Sequence, residues 1–140
     1  MEPEAEAAKP VEREPTPVLF VRCVDDLPEM QAAWARFEEL VGLRGRKFFG
    51  AYYPHTKEYR VCAQVREGDD AAALGVESGE LPGGRYLRAR LVGEPPAVYE
   101  RIGPIFMALI ERESPDESRP SIEFYRRYDE IELLLPVSDQ

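Results

Sequence analysis

One glutamate and two tyrosines of this sequence are spaced so that they could line a common binding pocket. Glu123 and Tyr125 are two residues apart, and side chains at that spacing point to the same side of a β-strand. Gly50 and Tyr52 repeat the spacing earlier in the chain. Aromatic faces attract organic cations, and a carboxylate removed from water selects positive charge. These residues predict a pocket for a flat, apolar or cationic molecule, with the glycine leaving room for it.

The two cysteines and the single histidine do not form a recognisable catalytic pair. Cys23 and Cys62 lie in predicted strands that could be neighbours, so geometry alone leaves a thiol reaction open. His55 falls in a predicted hairpin turn, where exposure to solvent is the usual outcome. Neither cysteine has an obvious base nearby, and the two lack the paired spacing of a zinc site or redox dithiol. We expect buried free thiols.

The charge of the chain argues against nucleic-acid binding. Its 18 basic and 27 acidic side chains give a formal charge of −9, and the basic residues are interspersed with acidic ones. Such a surplus repels phosphate. The acidic residues Glu67, Asp69 and Asp70 lack the alternation of a calcium loop and are better explained as solvated. We therefore predict no nucleic-acid partner, no metal and no cofactor.

Length and composition indicate a single folded domain with short ends. The chain has 140 residues, of which 44% are apolar, and no apolar run approaches the ~18 residues that a membrane span needs. Residues 1–17 contain four prolines and five glutamates, which predicts a disordered acidic arm. The folded domain is predicted over residues 18–137, with 138–140 as a tail. Without a secretion signal, we expect a cytoplasmic protein.

The predicted elements fall into two similar series. The first is a strand, a helix begun by a capping box at Asp26, and a hairpin, over residues 18–24, 26–41, 48–53 and 59–65. After a polar stretch, the second is a strand, a helical segment that is kinked or restarts at Pro104, and a hairpin, over residues 86–92, 98–110, 121–128 and 131–137. We predict an α+β fold of duplicated βαββ units, about 18–66 and 84–137. The units form a mainly antiparallel sheet with two helices on one face and a ligand pocket between the repeats.

The alternation of side chains predicts which face of the sheet holds the pocket. If the helices cover Ile122 and Phe124, then Glu123 and Tyr125 lie on the face without helices. Trp34 shares a helical stripe with other apolar residues, which favours a place in the core, with a pocket-lining role as the alternative.

Several short motifs resemble those of the GyrI-like small-molecule-binding domains, which are related to the effector-binding domains of AraC-type and MerR-type multidrug regulators. The motifs are Gly50-Ala51-Tyr52, Leu81-Pro82-Gly83-Gly84-Arg85-Tyr86, Gly93, Arg119-Pro120-Ser121-Ile122-Glu123-Phe124-Tyr125 and Leu133-Leu134-Leu135-Pro136-Val137. The resemblance spans residues 18–137. It implies the duplicated βαββ fold with a ligand pocket between the repeats.

The same resemblance implies roles for individual residues. Glu123 matches the buried acidic residue of the family's pocket, and Tyr125 and Tyr52 match its motif tyrosines. Phe106 takes the position of a tryptophan that the family commonly carries on its second helix. Tyr86 and Trp34 complete the predicted ligand-binding set.

Three functions follow, in order of preference. The first is a stand-alone module, monomeric or homodimeric, that senses or sequesters small aromatic or cationic molecules; any role in transcription would need a protein partner. The second is a hydrolase that opens strained cyclopropane rings, with Glu123 assisting a water molecule, as some similar family members do. The third is an interaction protein like the DNA gyrase inhibitors that give the family its name.

Overall fold

A computed structural model describes residues 2–138, which form one eight-stranded antiparallel sheet with two main helices on one face. The predicted tail beyond Ser138 lies outside the described residues. The strands are β1 (Lys9–Arg13), β2 (Thr16–Val24), β3 (Phe48–Tyr53), β4 (Glu58–Gln64), β5 (Glu77–Leu81), β6 (Gly84–Val92), β7 (Ser121–Arg127) and β8 (Glu130–Pro136). The helices are α1 (Pro3–Glu6), α2 (Leu27–Val41), α3 (Ala71–Leu74) and α4 (Ile102–Arg112), and a 3-10 helix, Ala97–Arg101, precedes α4.

The ends of α2 follow from local chemistry. Pro28 occupies the first turn, where its missing N–H costs no hydrogen bond. Gly42 ends the helix at φ 82°, a conformation that favours glycine, and its N–H donates to the carbonyl of Glu38. Asp26 stands at the N-cap position, but its side chain makes no capping hydrogen bond, so the predicted capping box is wrong.

The predicted duplication is confirmed by the sheet topology. The strand order is β1-β6-β8-β7-β3-β4-β2-β5, so each repeat contributes three adjacent strands. The repeats meet where β3 pairs with β7, and Gly50 is directly opposite Glu123 in that pairing. The equivalent positions of the two repeats therefore face each other across the centre of the sheet.

Two long, bent segments that pair in antiparallel fashion make the sheet curl. β1 pairs with β6 and β2 pairs with β5 in a single continuous register, although β1 and β2 lie in different halves of the sheet. Only two residues separate β1 from β2, and only two separate β5 from β6. The two edges of the sheet are therefore drawn together.

The N-terminal segment differs from the predicted disordered arm. Residues 3–6 form α1, and residues 9–13 form β1 along β6. Ala5 and Ala8 are buried against α4, and the guanidinium of Arg112 donates to the backbone carbonyls of Ala5, Glu6 and Ala8. The small alanine side chains allow this close packing. The prediction of disorder used only the proline and charge content of the segment, which does not take such packing into account.

The Arg112 contacts allow a test of how far the N-terminal segment stabilises the fold. Hydrogen bonds from a charged donor contribute more than neutral ones, so we expect Arg112→Ala to lower the free energy of unfolding by about 1–2 kcal/mol. Urea denaturation measures this change. Glu111→Ala, at the exposed neighbouring position, is the control and should change stability little. Equal stability of the two variants would contradict the anchoring role of Arg112.

The polar segment between the repeats contains a helix and a strand that its composition does not predict. α3 and the exposed edge strand β5 lie within residues 67–81, and β5 pairs with β2. The carboxylate of Asp70 caps α3 by accepting from the N–H of Ala73. Edge strands are often short and charged, which weakens their sequence signal.

The two faces of the sheet carry separate cores, and the predicted assignment of faces is wrong. α2 packs on Leu19, Tyr59 and Val61, while α4 packs on the second repeat in the same way. Ile122 and Phe124 lie on the opposite face, where they pack against other strands of the curled sheet. A curled sheet can bury this face without a helix, so Glu123 and Tyr125 lie beneath the helices.

None of the helices within residues 2–138 combines the length and the apolar character that crossing a membrane requires.

Candidate functional site

The site lies over the two central strands, between the helices. α2 packs mainly on β2 and β4, and α4 packs mainly on β8 and β6. The strands β3 and β7 therefore lie beneath the gap between the helices. Glu123 and Tyr125 on β7 lie on the helix side of the sheet, with Gly50 on β3 directly opposite Glu123. We call the space above these residues, between the helices, the central cleft.

Glu123 is held by two phenols. The hydroxyl of Tyr59 donates to Oε1 of Glu123 at 2.8 Å, and the hydroxyl of Tyr125 donates to the same oxygen at 2.6 Å. Nε1 of Trp34 donates to the hydroxyl of Tyr59 at 3.3 Å. The donors thus form a chain from Trp34 through Tyr59 to the carboxylate, and Oε2 receives neither phenolic proton.

Aromatic rings from both repeats pack around Tyr125, whose hydroxyl binds the carboxylate. The indole of Trp34, on α2, lies edge-on to the ring of Tyr125 with centroids 5.1 Å apart. Tyr99, on the 3-10 helix of the second repeat, contacts Tyr125 in the same manner at 6.2 Å. Phe48 lies 6.1 Å from Trp34. A ligand in the central cleft would therefore meet aromatic surface from both repeats.

Gly50 is required by the close approach of Tyr59 and Glu123. A Cβ atom at position 50 would lie 2.0 Å from the Tyr59 hydroxyl and 2.6 Å from Oε1 of Glu123. Any other residue would displace both groups, since Tyr59 is itself only 2% exposed. The glycine therefore makes room for a protein hydrogen bond, in addition to any space it leaves for a ligand.

The carboxylate of Glu123 is poorly solvated and lacks a positively charged partner. It is enclosed by protein atoms, yet the residue keeps some accessible surface, as expected at the floor of a cleft. Burial raises the pKa of Glu123; the hydrogen bonds from Tyr125 and Tyr59 partly offset this, and the charge of Asp25 raises the pKa further. Among the described residues, no cation acts on this carboxyl.

The phenols keep their protons. Burial, and next the charge of Glu123, raise the pKa of Tyr59 and of Tyr125 well above the usual value. Both side chains are therefore hydrogen-bond donors at neutral pH, and neither can serve as a base.

The structure brings three of the six predicted site residues together at the central cleft. Tyr125 contacts both Glu123 and Trp34, as described above. Tyr52 is paired with Tyr59 across β3 and β4 and packs in the core beneath α2. Phe106 packs with the core beneath α4, which also includes Tyr125.

Tyr86 does not lie in the central cleft. It is fully buried on the opposite face of the sheet, and its hydroxyl donates to the carbonyl of Pro82 at 2.5 Å. The guanidinium of Arg119 lies over its ring, 4.9 Å from the centroid. Tyr86 thus stabilises the bend between β5 and β6, and we leave it out of the candidate site.

Sequence reasoning missed two residues of the site, Tyr59 and Tyr99. Tyr59 is one strand beyond Gly50, and its hydroxyl reaches across to Glu123. A glycine inside a strand signals that another group approaches closely, so Gly50 was the available clue. Tyr99 lies in the segment before α4, where helical spacing gave no sign of its contact with Tyr125.

The cysteines do not form a reactive pair. Cys23 pairs with Tyr59 and Cys62 pairs with Phe20, and the two side chains belong to cores on opposite faces. Burial raises the pKa of Cys62 to about 12 and also raises the pKa of Cys23. Neither thiol is poised to ionise at neutral pH.

Two of the acidic residues before α3, Asp69 and Asp70, have protein partners. Asp69 forms a two-pronged ion pair with Arg46 at 2.5 and 2.8 Å, and these hydrogen bonds lower the pKa of Asp69 to about 2. An open surface depression of about 730 Å³ lies beside them, between β2, α3 and β5. Its lining includes none of the residues around Glu123.

Comparison with known families gives a match over nearly the whole chain. A family model described as the GyrI-like small molecule binding domain matches residues 9–137. The match begins at β1, in agreement with the ordered N-terminal strand. No curated protein matches the chain.

Solved structures share the fold at low sequence identity. An integron cassette protein from the mobile metagenome of Vibrio cholerae has a TM-score of 0.75 at 15% identity, with 94% of this chain and 95% of that chain covered. SAV2435 bound to tetraphenylphosphonium has a TM-score of 0.68 at 14% identity, with coverages of 99% and 95%. A hydrolase from Listeria innocua has a TM-score of 0.55 at 12% identity, with coverages of 94% and 91%.

Proposed function

Because the chain belongs to the GyrI-like small-molecule-binding family, we propose that it binds aromatic organic cations in the central cleft. The cation lies against Trp34 and Tyr125, with its charge near Oε2 of Glu123. In this proposal the protein senses or sequesters such molecules.

The observation that carries the proposal is the unpaired carboxylate of Glu123. Burying a charged group is costly unless it is paired, and here two neutral phenols are its hydrogen-bonding partners. A bound cation would supply the missing charge. It would also gain from the aromatic faces, since cation–π attraction strengthens when water is excluded.

The neighbour SAV2435 supports the ligand class. That protein was solved with tetraphenylphosphonium, an aromatic cation, and it shares the fold of this chain. The ligand of SAV2435 is thus a natural first probe for this chain.

The direct test compares a cation with a neutral molecule of similar shape. Trp34 is the only tryptophan, so its fluorescence reports on the central cleft. We expect tetraphenylphosphonium chloride to change this fluorescence with micromolar affinity, and triphenylphosphine oxide to bind at least about tenfold more weakly. Equal affinities would contradict charge recognition, and the absence of binding by either compound would contradict the proposed function.

The affinity for cations should depend on pH in a defined direction. Protonation removes the negative charge of Glu123, and burial raises its pKa from the usual value for glutamate. Affinity for tetraphenylphosphonium should therefore be highest at pH values above this raised pKa and fall as the solution is made more acidic. Fluorescence titrations across pH measure this effect, with triphenylphosphine oxide as the pH-independent control. An affinity that stays constant while the fold remains intact would contradict the role of Glu123.

A hydrolytic reaction is the second candidate, and one feature of the site favours it. Oε2 of Glu123 is free of the phenols, and a carboxylate of raised pKa is a stronger base toward water. The hydrolase from Listeria innocua with the same fold is in keeping with this possibility. The test is product formation from a strained cyclopropane substrate by the wild type and by Glu123→Gln. Equal rates in the two proteins would exclude Glu123 as the base.

A further inference from the structure

A second carboxylate, Glu38, lies farther along the helix that covers Glu123. It is one helical turn beyond Trp34 on α2, and residues at this spacing project from the same side of a helix. Glu38 is partly buried. None of the salt bridges recorded within residues 2–138 includes it.

Tyr99 connects Glu38 with the central cleft. Its ring contacts Tyr125 at one side. Burial raises the pKa of the Tyr99 phenol, and Tyr128 and Glu38 lie close enough to raise it further. Tyr99 is 48% exposed and Tyr128 is 79% exposed, so both rings offer accessible aromatic surface. We call Glu38, Tyr99 and Tyr128 the entrance cluster, since they join the floor of the cleft to the protein surface.

We propose that the cleft prefers elongated dications, with one positive head near Glu123 and the other held by the entrance cluster. This inference rests on the proposed function and adds the class of ligand. The entrance cluster has the same types of side chain as the floor of the cleft around Glu123, since each combines one carboxylate with tyrosine rings that attract cations. An aliphatic linker would lie between the heads, along Trp34 and Tyr125.

The burial of Glu38 supports its role. Desolvation raises the pKa of this carboxyl, and among the described residues no salt bridge offsets its negative charge. A cationic head would provide that compensation and would remain partly shielded from solvent by Tyr99.

Asp25 is the competing position for the second head. Its charge acts on Glu123, but its side chain is exposed to solvent at the start of the α2 region. Exposed ion pairs contribute little because water and salt screen them. Glu38 combines partial burial with a neighbouring aromatic ring, so the geometry favours it over Asp25.

The test uses dequalinium, which has two aminoquinolinium heads on a flexible decamethylene chain, and its single-headed analogue with a plain decyl chain. Both are titrated into the full chain by calorimetry. We expect Glu38→Gln to weaken dequalinium by about tenfold and the single-headed compound by less than about twofold. Glu39→Gln, at the exposed next position on α2, removes the same charge and should leave both affinities within about twofold.

Each result bears on a different claim. Equal weakening of both compounds by Glu38→Gln, or tighter binding of the single-headed compound by the wild type, would overturn the dication preference alone. A loss caused by Asp25→Asn instead of Glu38→Gln would place the second head beside Asp25 and overturn its assignment to the entrance cluster. If the wild type binds neither compound, the proposed function itself fails.

Discussion

Replacing Glu123 by glutamine should strongly weaken the binding of tetraphenylphosphonium and, at the same time, raise the melting temperature. The amide keeps the shape of the side chain and can accept both phenolic protons through its oxygen, but it has no charge for a cation. Loss of the charge should reduce affinity by at least about a hundredfold, since a desolvated cation would lose its buried anionic partner.

The gain in stability follows from the direction of the pKa shift. A carboxyl whose pKa is raised by folding favours the folded state at low pH, and this contribution is lost as the pH rises through the raised value. At neutral pH the folded protein therefore bears the cost of an ionised, poorly solvated group, which glutamine does not have. Thermal melts at neutral pH and at acidic pH measure this. The stability difference should shrink in acid, where Glu123 is protonated.

This pair of effects separates function from folding. A variant that loses binding because it unfolds would melt at a lower temperature. Loss of binding with a higher melting temperature is the pattern of a functional group retained at a cost in stability. A variant with unchanged cation affinity would show that the charge of Glu123 is not recognised.

The second large effect is expected at Gly50. Gly50→Ala would place a methyl group within 3 Å of both the Tyr59 hydroxyl and the Glu123 carboxylate. Overpacking of this kind costs about 1–3 kcal/mol, and the displaced carboxylate should also lose cation affinity. Urea denaturation and fluorescence titration measure the two effects.

Two further variants make this test specific. Gly103→Ala on α4 adds the same methyl group where no atom beyond its chain neighbours and its own helix backbone lies within 4 Å, so it should leave stability unchanged or slightly improved. The double change Gly50→Ala with Tyr59→Phe removes the hydroxyl nearest the new methyl, and it should recover part of the stability without recovering binding. Wild-type affinity in Gly50→Ala would contradict the described packing.

The repeats and most elements were predictable because their signals are local. The apolar periodicity of α2 predicts the helix, and Gly42 predicts its end. Turn residues between apolar segments predict the hairpins β3–β4 and β7–β8. The strands β1 and β5 were missed since their charged, exposed residues suit a sheet edge. Their pairing joins residues 9–24 with 77–92, a long-range register that no local pattern records.

The site was partly predictable, because the relation between Glu123 and Tyr125 is also local in sequence. The spacing of Glu123 and Tyr125 correctly placed them on one face, but alternation does not say which face the helices cover. That choice depends on the curl of the sheet, which buries Phe124 against Phe49 on the other side. Tyr59 reaches Glu123 from a strand that is distant in sequence, so only the folded structure reveals the contact.

The most direct test of this account is a crystal structure of the protein with tetraphenylphosphonium. We predict that the cation lies in the central cleft, against Trp34 and Tyr125, with its charge nearest to Oε2 of Glu123. The surface depression of about 730 Å³ between β2, α3 and β5 is the competing location. A cation bound there, with the Glu123 cluster unchanged, would contradict the central claim.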